Sequence, residues 1–132
     1  MHCPYCKNDS KVSNSRQTAK GTQIWRRRTC KSCHQIWTTT EVLNLSTTHQ
    51  VIDANNRFQP FSRDKLFISI KDSCAHRKSA LMDATALTST VLSRILLQNK
   101  SQLTAQEVFD ITAPIITRFD KTAGAVYRAK HK

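Results

Sequence analysis

From residue 62 onward, apolar residues recur three or four positions apart, which is the spacing of amphipathic helices. Ser62 is a plausible N-cap, and Thr104 and Glu107 have the spacing of a capping box. The pattern predicts three helices and a short fourth helix over 120–132. Their apolar positions are Leu66, Phe67, Ile70 and Cys74 in the first helix, Leu87, Val91, Leu92, Ile95 and Leu96 in the second, and Val108, Ile111, Ile115, Ile116 and Phe119 in the third.

The first part of the chain instead shows short runs of β-branched and aromatic residues, which are typical of strands. These runs predict three strands, over 12–16, 24–29 and 36–40. Lys20 and Gly21 mark a turn between the first two strands. Together they indicate a small three-stranded ribbon.

A short hairpin is predicted ahead of the first helix, with strands over 51–52 and 57–61 and a polar turn between them. The segment 44–50 is predicted to be a linker because it is polar and precedes the change of pattern. The sequence therefore predicts an α+β protein of two domains. A strand-rich domain occupies 1–45, and a domain of one hairpin and several helices occupies 49–132.

Four of the five cysteines form two C-x2-C pairs that are separated by 23 residues. The pairs are Cys3 with Cys6 and Cys30 with Cys33. In a reducing compartment this spacing favours a metal site over disulfides, and the two pairs supply the four thiolates of a tetrahedral Zn²⁺ site. A redox-active pair and an iron–sulfur cluster are the alternatives. Four protein ligands leave no open position for a catalytic water, so the zinc is predicted to be structural.

The first domain contains too little apolar surface to fold unaided. We therefore expect metal binding to supply the missing folding free energy. Zinc binding supplies roughly 10–16 kcal/mol of apparent folding free energy in small zinc fingers. His34 is a conceivable substitute ligand, but four cysteines already complete the coordination shell. Cys74 lies within a helical pattern and is expected to be a small buried apolar residue.

Composition narrows the class of function. The chain has 132 residues, with 21 Lys and Arg against 9 Asp and Glu, which gives a formal net charge of +12. No apolar run is long enough to span a bilayer, and the first residues carry no signal-like apolar stretch, so we expect a cytoplasmic protein without a membrane partner. No nucleophile–base pair, paired carboxylates or phosphate-cradling glycine loop stands out, so we do not expect an enzyme.

The run from Trp25 to Thr29 places three arginines in succession inside a predicted strand. Strand alternation puts Arg26 and Arg28 on one face and Trp25 and Arg27 on the other. Neighbouring guanidiniums repel one another, an anionic partner relieves that repulsion, and arginine matches phosphate oxygens in a bidentate manner. The run therefore predicts a nucleic-acid surface, on which Trp25 either stacks on the nucleic acid or covers the small core. Residues that would widen this surface are Lys11, Arg16, Lys20 and Lys31.

Several short motifs along the chain match those of a known protein family. They are Cys3-Pro4-Tyr5-Cys6, Asn14-Ser15-Arg16, Arg26-Arg27-Arg28-Thr29-Cys30 and Trp37-Thr38-Thr39 in the first domain, and Val51, Pro60-Phe61, Lys65-Leu66, Arg77, Phe119-Asp120-Lys121 and Tyr127-Arg128 in the second. With these motifs in this order, the chain resembles the NrdR family of bacterial transcriptional repressors of ribonucleotide reductase genes. The resemblance extends over almost the whole chain and is most specific in the first domain.

The resemblance implies a zinc ribbon followed by an ATP-cone. It implies a repressor that binds operator boxes in double-stranded DNA upstream of reductase genes. Its ATP-cone would bind ATP and dATP, and the bound nucleotide would change the homo-oligomeric state and so the operator affinity. The implied DNA contacts are Arg16, Arg26, Arg27 and Arg28, to which the basic run adds Trp25 and Lys11. The candidate nucleotide-binding residues are Val51, Arg57, Lys65, Arg77 and Tyr127.

The chain departs from the family where the nucleotide is expected to bind. Asp53 occupies the position of a family lysine, Ala54 follows it, and Asn56 stands where glycine is frequent. Like unit charges about 4 Å apart repel by about 4 kcal/mol at an effective dielectric constant of about 20, so Asp53 opposes a triphosphate unless Arg57 compensates. One alternative is therefore a second domain that only oligomerises. Another is a zinc-ribbon protein associated with RNA or the ribosome, because both halves are basic.

Overall fold

The computed structural model describes residues 1–18 and 21–131, so Lys20 of the predicted turn lies outside the described residues. Two compact units divide the chain between Leu43 and Asn44. The first unit is a sheet and the second combines a sheet with helices, which confirms the predicted α+β class. Within the described ranges, no helix has the length and hydropathy that crossing a membrane requires.

The first unit is a three-stranded antiparallel sheet in the order β1-β2-β3. β1 spans Ser10–Thr18, β2 spans Gln23–Cys30 and β3 spans Ile36–Val42. β2 is the central strand, and the register of β1 shifts between Val12 and Asn14. The three predicted strands are confirmed, and each is longer than its sequence pattern indicates.

Apolar packing contributes little to the first unit. Of its described residues, Cys3 and Cys30 are the only two that are buried, and Trp25 and Trp37 are half-buried. β1 is exposed along nearly its whole length. The described part of the unit therefore has no hydrophobic core, in keeping with its sparse apolar sequence, and the cysteine cluster is its most buried feature.

The second unit places helices beside a small mixed sheet. In chain order its described elements are α1 (Leu45–Thr48), β4 (Gln50–Ile52), β5 (Phe58–Pro60), α2 (Arg63–Ser73), α3 (Ala80–Leu96), β6 (Gln102–Thr104), α4 (Ala105–Phe119) and α5 (Lys121–Lys130). β4 is central, antiparallel to β5 and parallel to β6. The predicted hairpin and helices are confirmed. β6 was not predicted, because a strand of three residues carries too little alternation to be recognised.

The segment 44–50 is not a linker, contrary to the sequence interpretation. Asn44 caps α1, its side-chain oxygen accepting a hydrogen bond from the Ser46 N–H at 3.1 Å. Leu45 on this turn is buried in the core of the second unit, and Gln50 already belongs to β4. The polar composition of the segment did not indicate this role, because a single buried leucine is enough to hold so short a segment against the core.

The second unit has one apolar core, and its helices begin at the caps that the sequence predicts. The Ser62 hydroxyl accepts a hydrogen bond from the Lys65 N–H at 3.2 Å. Thr104 and Glu107 form the complete capping box, with bonds of 3.0 and 2.8 Å. Cys74 is fully buried at the end of α2, as predicted. The largest fully buried apolar side chains of the unit are Ile70, Val91, Ile95, Leu103 and Ile116.

α5 packs tightly against α4 at Gly124. A Cβ added to this glycine would lie 2.7 Å from the Cα of Thr117 on α4, where a side chain cannot move aside to make room. The absence of a side chain at position 124 therefore allows the two helices to pack at this distance.

We predict that Gly124→Ala destabilises the second unit by about 1–3 kcal/mol, as overpacking generally does. A glycine-to-alanine change in an unconstrained helix stabilises by about 1 kcal/mol, so the sign of the effect is diagnostic. Urea unfolding followed by circular dichroism at 222 nm measures it. Thr122→Ala on the exposed part of α5 is the matched control and should stay within about 0.5 kcal/mol of the wild type.

Candidate metal centre and nucleic-acid interface

The four cysteines predicted to bind zinc form one cluster. The Sγ atoms of Cys3, Cys6, Cys30 and Cys33 all lie within 4.8 Å of one another. The Sγ–Sγ distance is 3.7 Å between Cys3 and Cys33 and 3.4 Å between Cys6 and Cys30. A tetrahedron with Zn–S bonds of about 2.3 Å has edges of about 3.8 Å. The sulfurs therefore already have close to the spacing that Zn²⁺ requires.

The two cysteine pairs lie on turns of the same construction. Cys3 donates its backbone N–H to the Asn8 carbonyl at 2.8 Å, and Cys30 donates its own to the Gln35 carbonyl at 2.9 Å. In each turn a backbone N–H two residues after the first cysteine, at Tyr5 and Ser32, donates to that cysteine's sulfur at 3.4 and 3.3 Å. Hydrogen bonds of this kind stabilise a thiolate and orient it toward a metal.

The residue after each pair has a left-handed backbone. Lys7 follows Cys6 with φ of 63°, and His34 follows Cys33 with φ of 59°. This conformation costs energy for residues other than glycine, and both turns adopt it at the same place, directly after the cysteine pair. His34 therefore belongs to the turn. Among the described residues, the group that could hold a metal ion consists of the four cysteines and does not include His34.

The sulfurs are too crowded for all four to be ionised without a cation. Hydrogen bonds from Asn8 lower the pKa of the Cys6 thiol to about 6. The Gln35 N–H acts in the same direction on Cys33, but desolvation and the neighbouring sulfurs outweigh it and raise the pKa of that thiol to about 12. A divalent cation removes this conflict, because it stabilises all four thiolates at once. The chemistry of the donor set thus fits Zn²⁺.

The basic residues of the sheet are divided between two faces, as strand alternation predicts. Paired residues on adjacent strands lie on the same face, and Arg16 pairs with Trp25. The Arg16 guanidinium lies 6.0 Å from the centre of the Trp25 ring, within reach of a cation–π contact. Lys11 pairs with Thr29, and Arg27 lies two residues after Trp25. We call the surface formed by Lys11, Arg16, Trp25 and Arg27 the Trp25 face.

The opposite face holds the two other arginines in ion-pair and hydrogen-bond contacts. The Arg26 guanidinium contacts the Glu41 carboxylate at 3.2 Å, and the Arg28 Nε donates to the Thr39 hydroxyl at 3.2 Å. Trp37 lies on this face opposite Arg28. We call the surface formed by Arg26, Arg28, Trp37, Thr39 and Glu41 the Trp37 face. Its arginines are half-buried, whereas Arg27 on the other face is exposed.

A cavity of about 760 Å³ lies in the second unit, between the β4–β5 hairpin and the first turns of α2 and α4. Three of the predicted nucleotide-binding residues, Val51, Lys65 and Tyr127, line this cavity. Tyr127 stacks on Phe109, with ring centres 5.8 Å apart. The cavity also takes in residues that the sequence analysis did not single out, because no local motif marks them: Gln59, Ser69, Gln106, Phe109 and His131.

The two other predicted nucleotide-binding residues do not line the cavity. The Arg57 Nε contacts the Asp53 carboxylate at 2.9 Å. The Arg77 guanidinium contacts Asp83 at 2.7 Å and Asp120 at 3.0 Å. Each of these arginines is therefore already paired within the protein.

A three-stranded sheet that ends on a four-cysteine cluster defines a zinc-ribbon protein. Residues 1–41 match the family model described as transcriptional repressor NrdR-like, N-terminal domain. Proteins named transcriptional repressor NrdR are similar over nearly the whole chain. The one from Kineococcus radiotolerans is 33% identical over 98% of this chain and 80% of its own length, and the one from Psychrobacter arcticus is 31% identical over 97% and 87%. The one from Clavibacter michiganensis is 33% identical over 93% of this chain and 76% of its own length. The chain therefore belongs to the NrdR family of transcriptional repressors, as its motifs indicate.

We predict that chelation of the metal under reducing conditions unfolds the first unit and spares the second. Both tryptophans, Trp25 and Trp37, lie in the first unit, so their emission should shift to longer wavelength. The circular dichroism signal at 222 nm should persist, because the second unit has its own apolar core. Zinc should restore the emission, and Cys74→Ala should retain about one zinc ion per chain. Unchanged tryptophan emission after complete removal of the metal would contradict this assignment.

Proposed function

We propose that this chain is a zinc-dependent repressor that binds double-stranded DNA through its ribbon. The observation that carries this proposal is the Trp25 face. Within the described residues, the side chains of Lys11, Arg16 and Arg27 have no hydrogen-bond or ion-pair partner, and the Arg16 guanidinium lies over the Trp25 ring. Three cations on one rigid face repel one another, and a polyanion such as duplex DNA relieves that repulsion.

The arginines on the two faces of the ribbon differ in how readily they can contact DNA. The exposed Arg27 is free to form bidentate contacts with a phosphate or with a guanine edge. Arg26 and Arg28 are held in place by Glu41 and Thr39, so DNA contacts from the Trp37 face would have to compete with those partners. The Trp25 face is therefore proposed as the main DNA-binding surface, with operator boxes of ribonucleotide reductase genes as the target that the family resemblance implies.

We predict that Arg27→Gln weakens binding to a reductase-promoter duplex about tenfold or more, since one such contact contributes about 1–3 kcal/mol. If four to six phosphates are neutralised, the wild-type slope of log affinity against log salt is about −4 to −5, and the variant should lose about one unit of it. Fluorescence anisotropy over a salt series measures both quantities.

Lys71→Gln on α2 removes the same charge from an exposed position of the second unit and should leave both quantities unchanged. Zinc content should be the same in both variants. Equal losses of DNA affinity for Arg27→Gln and Lys71→Gln would show that the affinity depends only on net charge, which would contradict the proposed role of the Trp25 face. Structured RNA that displaces the duplex at equal salt would favour an RNA-associated role instead.

The proposed regulatory part is the second unit, with its cavity as a nucleotide site and ATP and dATP as the ligands that the resemblance implies. Apolar walls suit a base, and the Lys65 side chain with the N-terminus of α2 suits an anionic group. A bound nucleotide would bias self-association, and the resulting homo-oligomer would bind its operator with a different affinity.

We predict that ATP or dATP changes the mass of the zinc-loaded chain in light scattering and changes its affinity for the promoter duplex. Lys65→Gln should weaken both responses, because it removes the cation of the cavity. A chain whose mass and operator affinity stay the same at millimolar nucleotide would indicate a second unit that only oligomerises.

A further inference from the structure

The middle of the Trp25 face contains two uncharged polar side chains beside Arg27. Asn14 on β1 pairs with Arg27, and Arg27 pairs with Thr38 on β3. Paired residues on adjacent strands lie on the same face, so these three side chains form one row across the sheet. We call Asn14, Arg27 and Thr38 the central row. All three residues are exposed.

An irregularity in β1 brings Asn14 into the central row. Lys11 and Asn14 are three residues apart, a spacing that puts two side chains on opposite faces of a regular strand. Lys11 lies on the Trp25 face through its pairing with Thr29, and the register shift just before Asn14 keeps Asn14 on that face as well. The Ser13 hydroxyl donates a hydrogen bond to the Arg27 carbonyl at 3.2 Å and so ties this part of β1 to β2. Bulges of this kind change the direction in which a side chain points.

The cations of the Trp25 face lie on both sides of the central row. The row of Arg16 is next to it on one side, and the row of Lys11 is next to it on the other. Rows two residues apart along a strand are separated by about 6.6 Å, so the two outer rows are about 13 Å apart. The major groove of B-form DNA is about 12 Å wide. If the outer cations contact the phosphates on the two sides of this groove, the central row faces the base edges.

The Asn14 amide is held in one orientation. Its Oδ1 accepts a hydrogen bond from the Ser15 N–H at 2.8 Å. An amide oxygen can accept a second hydrogen bond, and the NH₂ group supplies two donors. Within the described residues this NH₂ group has no hydrogen-bond partner. An acceptor beside a donor matches N6 and N7 of adenine in the major groove, whereas guanine presents two acceptors there.

We infer that Asn14 reads an adenine in the major groove and thereby sets part of the sequence preference of this protein. The inference rests on the proposed DNA-binding function of the Trp25 face and adds a base contact to the phosphate contacts of its cations. Because Asn14 is uncharged, it discriminates between sequences without adding to the salt dependence of binding. The major groove of duplex RNA is too deep and narrow for this contact, so the ligand is DNA.

Selection of duplexes from a randomised DNA library by the zinc-loaded full chain tests the inference. The wild type should select adenine at a position where Asn14→Ala accepts any base, and the other preferences should be the same in both. Gln17→Ala is the matched control, because it removes an exposed amide from the same strand but from the opposite face, and it should keep the adenine. Both variants should have the zinc content and tryptophan emission of the wild type.

A selected duplex with 7-deazaadenine at that position provides a second measurement, because this base has a C–H group in place of N7. The wild type should bind it about tenfold more weakly than the unmodified duplex, and Asn14→Ala should bind both duplexes within about twofold of each other. The slope of log affinity against log salt should be equal in the wild type and Asn14→Ala, unlike that of Arg27→Gln.

Three results would overturn the inference and leave DNA binding by the ribbon intact. They are an adenine preference that persists in Asn14→Ala, a loss of that preference in Gln17→Ala as well, and equal affinity of the wild type for the modified and unmodified duplexes. The last of these uses only the wild type, so it decides the matter even where a variant loses zinc. A wild type that binds no duplex would instead overturn both the inference and the proposed function.

Discussion

The first unit depends on one interaction, the shared attraction of four cysteine thiolates for a cation. Among its described residues, the two most buried, Cys3 and Cys30, belong to the cluster itself, and the others form no apolar core. Desolvation and the neighbouring sulfurs raise the pKa of Cys33, so they oppose joint ionisation of the four thiols without a metal. The same cluster fixes the C-terminal end of β2, the strand that carries the three consecutive arginines, because Cys30 terminates that strand. Metal binding and the presentation of positive charge are therefore coupled.

The antiparallel pairing of the strands then determines which side chains lie beside each arginine. Arg26, Arg27 and Arg28 are consecutive in sequence, yet their neighbours differ because side chains alternate between faces. β3 provides Glu41 and Thr39 to one face, whereas β1 provides Lys11 and Arg16 to the other. A run that looks uniform in sequence thus places Arg26 and Arg28 beside polar partners and Arg27 on the face that carries Lys11 and Arg16.

Ion pairs also position residues in the second unit, although an apolar core holds that unit together. Arg77 joins Asp83 and Asp120, and its guanidinium lies 4.7 Å from the centre of the Phe119 ring. The Ala123 N–H, with His76 and Arg77, lowers the pKa of Asp120 to about 2, so the pair persists through the physiological pH range. This pairing uses the second unit's most buried arginine to fix the start of α5, and leaves Lys65 as the cation of the cavity.

The sequence by itself determined whatever depends on short spacing. Two residues between paired cysteines indicated the metal cluster, apolar periodicity and the caps at Ser62 and Thr104 indicated the helices, and the ordered motifs indicated the family. Tertiary structure alone decided the role of Leu45, the pairing of β6 with β4, and the lining of the cavity. The contact between Arg77 and Asp120 joins residues 43 positions apart, a separation over which no local pattern acts. Local propensity and spacing depend only on neighbouring residues, whereas these contacts form only when distant segments pack together.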